Sequence, residues 1–127
     1  MNDVFLADCR ARLAFDLMAN TWNPVVLWAL RDGPQRPAEV RRRLGGISTK
    51  VLTETVRRLE FNGLVHRRDC GRTAKVEYSL TDLGAGLLGP IEAFGEWAHR
   101  HGDEVMAAQD RAAQEKAVGL VSGKDGS

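Results

Sequence analysis

The chain has 127 residues, a hydrophobic fraction of 43%, a charged fraction of 28% and a formal net charge of +1. That length favours one compact domain, and the composition excludes wholesale disorder. The longest apolar stretch, Pro24 to Leu30, is far too short to span a bilayer, and no basic-then-apolar leader opens the chain, so a cytoplasmic protein without a membrane partner is expected. Two cysteines, Cys9 and Cys70, are too few for a disulfide framework.

The small net charge hides an uneven distribution. Between Arg36 and Glu77, 11 Lys and Arg face 5 Asp and Glu, a net +6 held between acidic ends. Such a segment is the electrostatic footprint of a polyanion site, although a solvated helix face accounts for charge alone.

In chain order, Leu13, Ala14, Leu17 and Met18 recur at helical spacing within Arg10 to Ala19 and predict a short amphipathic first helix. Asn23-Pro24 reads as an N-cap and first helical position. The helix it opens, Val25 to Leu30, is apolar on every side and therefore central to the core, and it stops at Arg31-Asp32-Gly33-Pro34. Pro37 starts another helix, with Val40 and Leu44 inward, Arg41, Arg42 and Arg43 outward, and Gly45-Gly46 closing it. Ser48 caps the best-defined helix, with Ile47 and Leu52 forming a hydrophobic staple. Leu52, Val56 and Leu59 fall on one stripe; Lys50, Thr53, Glu54 and Arg57 fall opposite, with Thr49 and Arg58 at the edges.

Asn62-Gly63 ends that helix. Leu64 to Arg68 and Lys75 to Leu80 alternate as two strands joined at Asp69 to Thr73, a hairpin. Leu83, Leu87, Ile91, Phe94 and Trp97 then mark a long helix that must accommodate Pro90. Asp103 to Val118 is an Ala-rich helical extension, and residues 119–127 are expected to be a disordered tail.

This order, three helices, a charged helix and a basic hairpin, is the winged helix-turn-helix plan. The expected fold class is α+β, mostly helical, with a two-stranded wing and a long C-terminal dimerisation helix, the domain proper occupying residues 1–102. The expected DNA surface comprises Arg36 and Ser48, Thr49, Lys50, Thr53, Glu54, Arg57 and Arg58. The wing adds Arg67, Arg68, Arg72 and Lys75 for the phosphate backbone or minor groove. His66, His99 and His101 lie apart from any cysteine cluster or carboxylate pair, and no glycine loop suited to phosphate follows a strand. No catalytic, metal or cofactor site is therefore predicted.

The same residues resemble the HxlR-type regulators of the MarR-like group. The resemblance runs from Cys9 to Trp97. It is carried by Cys9 with Leu13-Ala14-Phe15-Asp16-Leu17, by Trp22, by the Val25 to Leu30 helix and by Ile47-Ser48-x-Lys50-x-Leu52-Thr53. Leu59-Glu60-x-x-Gly63-Leu64-Val65, Val76-Glu77-Tyr78-x-Leu80-Thr81-x-x-Gly84 and Pro90 ahead of Trp97 complete it. The chain departs from the pattern at Thr21, where Lys is usual, at Ala74, where Pro is usual, and after Gly102.

The resemblance implies a homodimer on double-stranded DNA, at a pseudo-palindromic operator, acting as a repressor or activator of nearby genes. It also implies that Cys9 answers to an oxidant or electrophile. Cys9 stands near a helix N-terminus beside Arg10 and Arg12, which favour thiolate, whereas Asp8 opposes it and a buried inert thiol is the competing reading. A second reading makes Phe15, Trp22, Phe94 and Trp97 the lining of a pocket for a non-covalent small-molecule inducer at the dimer seam. A third, an interaction module without DNA binding, runs against the +6 segment.

Overall fold

A computed structural model describes residues 10–69, 71 and 75–125 of the chain. The element order is α1 (Arg10–Leu17), α2 (Trp22–Ala29), α3 (Pro37–Leu44), α4 (Thr49–Phe61), β1 (Val65–Asp69), β2 (Val76–Leu80), α5 (Asp82–Ala85) and α6 (Leu88–Asp125). Two compact units divide it, Met1–Ile91 and Glu92–Ser127.

In the first unit α2 is the centre. Val26, Leu27, Ala29 and Leu30 are buried, and Val40 of α3, Ile47, Leu52, Val56 and Leu59 of α4, Leu64, Val65 and Tyr78 close around them. A side chain such as Leu27 or Leu59 contributes about 1.5–3 kcal/mol when fully withdrawn from water, so this cluster fixes the packing of α2, α3 and α4.

The start of α2 differs from the sequence expectation. The helix begins at Trp22, and the Asn20 Oδ1 accepts from the Trp22 N–H at 2.9 Å. Asn23, expected as the cap, is instead buried within the helix, its Nδ2 donating to the Leu17 carbonyl at 2.8 Å and tying the end of α1 to α2. Pro24 is still in the first turn, where a missing N–H costs no bond.

The far end of α2 is closed by side chains from outside it. The Ala29 carbonyl, one of the orphan acceptors of a helix C-terminus, accepts from Gln35 Nε2 at 2.6 Å and from Arg43 at 3.1 Å. Arg43 also pairs with Asp32 at 3.4 Å. It therefore serves α2, whereas the sequence places it with Arg41 and Arg42 on a free outward face.

Between α3 and α4, Gly45 and Gly46 have φ values of +53° and +87°. Two successive residues in that half of the map are cheap only for glycine, and they make the sharp helix-turn-helix corner. The strands pair antiparallel with Val65 opposite Leu80 and Asp69 opposite Val76, one residue later at the start than the sequence predicts. Leu64 precedes the strand, its N–H donating to the Leu59 carbonyl at 2.9 Å while its carbonyl accepts from the Thr81 N–H at 3.1 Å. The pair gains a third, short partner: the Gln35 N–H donates to the Tyr78 carbonyl at 2.9 Å and the Tyr78 N–H to the Gln35 carbonyl at 2.8 Å.

The long helix expected from Leu83 onward is split. Thr81 caps α5 by accepting from the Gly84 N–H at 2.9 Å while its hydroxyl donates to the Gly63 carbonyl at 2.6 Å. After Gly86 and Leu87 the chain restarts as α6, which places Pro90 third in its first turn, so the proline that a continuous helix must tolerate interrupts no bond. The assigned helix runs to Asp125, past the Val118 at which the sequence ends the helical extension. No proline lies beyond Pro90 to stop it.

Gly84 is the tightest point of the first unit. A Cβ there would land on the Leu64 carbonyl, backbone that cannot swing aside. Gly84→Ala is expected to lower unfolding free energy by about 1–3 kcal/mol or more. Gly89→Ala, in a helical position with open space, should instead be neutral or gain up to about 1 kcal/mol. Urea unfolding monitored by circular dichroism compares the two; equal stability of both variants would contradict the packing.

Candidate nucleic-acid interface

The burial of Leu52, Thr55, Val56 and Leu59 on one side of α4 dictates what lies on the other. Ser48 stands at the N-cap in extended backbone and its hydroxyl accepts from the Val51 N–H at 3.1 Å, which starts the helix at a fixed residue. Thr49, Lys50, Glu54, Arg57 and Arg58 are exposed, whereas Thr53, expected on the same outward stripe, is half-buried. Thr55 is a residue that the sequence pattern missed. It is fully buried among apolar neighbours because its hydroxyl donates to the Val51 carbonyl at 2.7 Å and so needs no other partner. Arg58 leans back toward it, donating to the Thr55 Oγ1 at 3.3 Å.

Arg36 is exposed at the N-cap of α3, directly after Gln35, and Gln35 is paired to β2. The basic helix-turn-helix and the wing root are thus joined through adjacent residues.

The register sorts the wing cations. Side chains alternate across a strand, so Val65, Arg67 and Asp69 share one face and His66 and Arg68 the other. Val65 is buried, hence Arg67 belongs to the face turned toward α4, opposite Tyr78, whereas Arg68 belongs to the outer face, opposite Glu77. Lys75 is exposed just before β2. Arg72 lies outside the described residues, as do Cys9 and Cys70.

Tyr78 was legible as a strand residue but not as a junction. Burial pushes its hydroxyl above the ordinary tyrosine range, while the charges of Arg67 and then Arg57 pull it down and Glu60 adds a smaller push upward. It stays neutral at ordinary pH, with the charges of Arg57 and Glu60 on α4 and of Arg67 on β1 acting on it.

The four aromatics expected to line a pocket fall into both units. In the first, Phe15 on α1 is 53% exposed and Trp22 packs against the core cluster. In the second, Phe94 and Trp97 are 62% and 52% exposed. Phe94, Trp97, His101 and Val105 follow one another at three- and four-residue spacing along α6, with the Trp97 and His101 rings 5.3 Å apart and the His101 Nδ1 3.6 Å from Glu104. Among the described residues no group of His, Cys, Asp and Glu is placed to hold a metal, and no helix is long and apolar enough to cross a membrane.

Residues 17–106 match the model of the HxlR-like helix-turn-helix family. The chain belongs to that family. It is 32% identical over 112 residues, 87% of this chain and 89% of the other, to the HTH-type transcriptional regulator YtfH of Escherichia coli K12. The reduced form of the redox regulator HypR superposes with a TM-score of 0.71 at 31% identity, covering 76% of this chain and 97% of that one. The transcriptional regulator YodB of Bacillus subtilis, reduced, superposes with 0.64 at 35% identity, covering 71% and 90%; YodB is also known diamide-treated and quinone-bound. The winged helix-turn-helix plan is the fold of this chain, and its role is that of a DNA-binding transcriptional regulator rather than an enzyme.

The cap that fixes the start of α4 is open to test. Ser48→Ala is expected to cost about 0.5–2 kcal/mol in unfolding free energy, with Ser48→Asp retaining most of it, since either side chain can accept from the Val51 N–H. Denaturant melts of the three proteins decide this, and an Asp variant as weak as the Ala variant would count against the capping role.

Proposed function

We propose that the protein is a homodimeric regulator, acting as a repressor, that binds a pseudo-palindromic operator with α4 in the major groove and the wing on the adjoining backbone. The observation that carries this reading is the polar face of α4, exposed because the opposite face is buried, set within a segment of net +6. Lys50 and Thr53, near the N-terminus of α4, are placed for base edges, with Glu54 as an acceptor and Ser48 and Thr49 at the helix start for phosphate. Arg36, Arg57, Arg58, Arg67, Arg68, Arg72 and Lys75 supply backbone contacts. The dimer is supported by the exposed stripe of Phe94, Trp97 and Val105 on α6, since leaving such side chains in water forfeits about 1.5–3 kcal/mol each. Residues 1–102 are the working domain in this reading, 103–118 its helical extension and 119–127 its tail.

Duplex DNA from around the protein's own gene, in a mobility-shift assay, tests the reading. Lys50→Ala is expected to weaken the specific site by about 1–3 kcal/mol and relax its sequence preference. Lys75→Ala should weaken all duplexes alike and lower the salt slope by about one. If both folded variants bind with parental affinity and salt dependence, the placement of the surface is wrong.

The signal input is Cys9, which directly precedes the first residue of α1 and has Arg10 and Arg12 as neighbours in sequence. Support comes from HypR, a redox regulator, and from YodB, known in reduced, diamide-treated and quinone-bound forms. Diamide would take two electrons and two protons from the Cys9 thiols of two subunits to leave a disulfide, and a quinone would add the thiolate to its ring. Either change at the dimer seam alters the spacing of two reading helices that must meet half-sites about 34–36 Å apart. Cys9→Ser is expected to stay on DNA under diamide or quinone, while Cys70→Ser is released like the parent. Release of Cys9→Ser at parental concentrations would move the sensing to a non-covalent ligand at the aromatics Phe15, Trp22, Phe94 and Trp97.

A further inference from the structure

Tyr78 occupies the place where the reading helix, the wing and the Gln35 segment come together. Its N–H and C=O both bond to Gln35, at 2.8 and 2.9 Å, so on its other side it faces Arg67 of β1 as a non-hydrogen-bonded pair. The residue is only 5% exposed. Arg67 stands directly across the ladder, so the two side chains leave the same face of the hairpin about 4.5–5.5 Å apart at Cβ. That is the face that carries buried Val65 and packs on α4, from which Arg57 and Glu60, one turn apart, also act on the tyrosine hydroxyl. Arg67, across the ladder, and Arg57, on the helix packed against this face, therefore both act by charge on one neutral O–H.

A guanidinium has donors only, so neither arginine can take the hydroxyl proton, and among the described residues this hydroxyl takes part in no side-chain hydrogen bond. Two like charges whose fields reach the same hydroxyl also repel, apart from what the Glu60 carboxylate offsets. An anion with several acceptor oxygens answers all three conditions. It takes forked donors from both arginines, it takes the hydroxyl proton and it removes the mutual repulsion.

We propose that Arg57 of α4, Arg67 of β1 and the Tyr78 hydroxyl form one seat for a single backbone phosphate of duplex DNA, where the reading helix meets the wing. The inference rests on the DNA-binding surface described above and refines it: Arg57 and Arg67, given separate backbone contacts there, grip one and the same phosphate, and Tyr78 becomes a contact as well as a core residue. Glu60 borders the seat and is displaced from the cations when the phosphate enters.

The distinguishing property is the number of phosphates lost. Binding of the full chain to a labelled duplex of random sequence is measured across a salt series for the parent, Arg57→Ala, Arg67→Ala, the double variant and Tyr78→Phe. Each neutralised phosphate contributes about 0.9 to the slope of log affinity against log salt. One shared phosphate predicts that the double variant loses about one in slope. Tyr78→Phe, which keeps the buried ring, should bind about three- to tenfold more weakly with the slope unchanged, because a neutral hydroxyl releases no counterion. A double variant whose slope falls by about two, or does not fall, overturns the shared seat, and parental affinity in Tyr78→Phe overturns the hydroxyl's part. Lys50→Ala in the same series separates the two levels of the argument. If Lys50→Ala weakens binding while the three seat residues prove silent, the DNA surface stands and the seat falls. If the folded parent binds no duplex even at low salt, both fall.

Discussion

Everything on the proposed DNA-facing side follows from how α4 is held. Leu52, Thr55, Val56 and Leu59 sink into the cluster built around Val26, Leu27 and Leu30 of α2, and the hydrophobic stabilisation of that stripe sets the rotation of the helix about its axis. Rotation about the axis is what the proposed groove contact cannot leave free, because a turn of one residue would carry each polar side chain about 100° away. The Ser48 cap fixes the start and the Asn62 side chain, donating to the Arg58 carbonyl at 2.8 Å, ties off the end. The helix is thereby located along its axis as well as around it.

The basic segment is less uniform than its count of charges suggests. Arg43 is drawn back to the end of α2 and to Asp32, and Arg58 leans onto Thr55, so part of the formal charge stabilises helices. Arg67 and Arg68, neighbours in sequence, sit on opposite faces of the hairpin. Of the cations left, Arg57 and Arg67 belong to the side where α4 and the wing pack, Arg68 to the wing's outer face, and Arg36, Arg41, Arg42, Lys50 and Lys75 are exposed elsewhere along the segment.

The elements, their order and the polar face of α4 were legible in the sequence because each rests on local chemistry: a cap and staple at Ile47-Ser48, a glycine pair at Gly45-Gly46, and an apolar stripe of period 3.6. What was not legible depended on contacts between segments distant in sequence. The Gln35 exchange with Tyr78 spans more than forty residues and leaves no periodic mark, and Thr55 looks like a polar-face residue until its bond to Val51 is seen. Asn23 has a cap's sequence signature, yet the end of α1 supplies it with a carbonyl, and the first N–H of α2, that of Trp22, donates to the Asn20 side chain instead. The split between α5 and α6 had a weak signal in Gly84 and Gly86, which the regular spacing of Leu83, Leu87 and Ile91 outweighed.

A two-stranded hairpin by itself is marginal in water. Here the Gln35 exchange and the buried Tyr78 ring fasten the hairpin root to the segment that leads into α3, and so to the frame that carries α4. The proposed groove helix and the wing are consequently joined at their roots. In the reading proposed above, a signal then acts on the placement of the head as a whole, in the manner of a calliper whose jaws keep their shape while the gap between them changes.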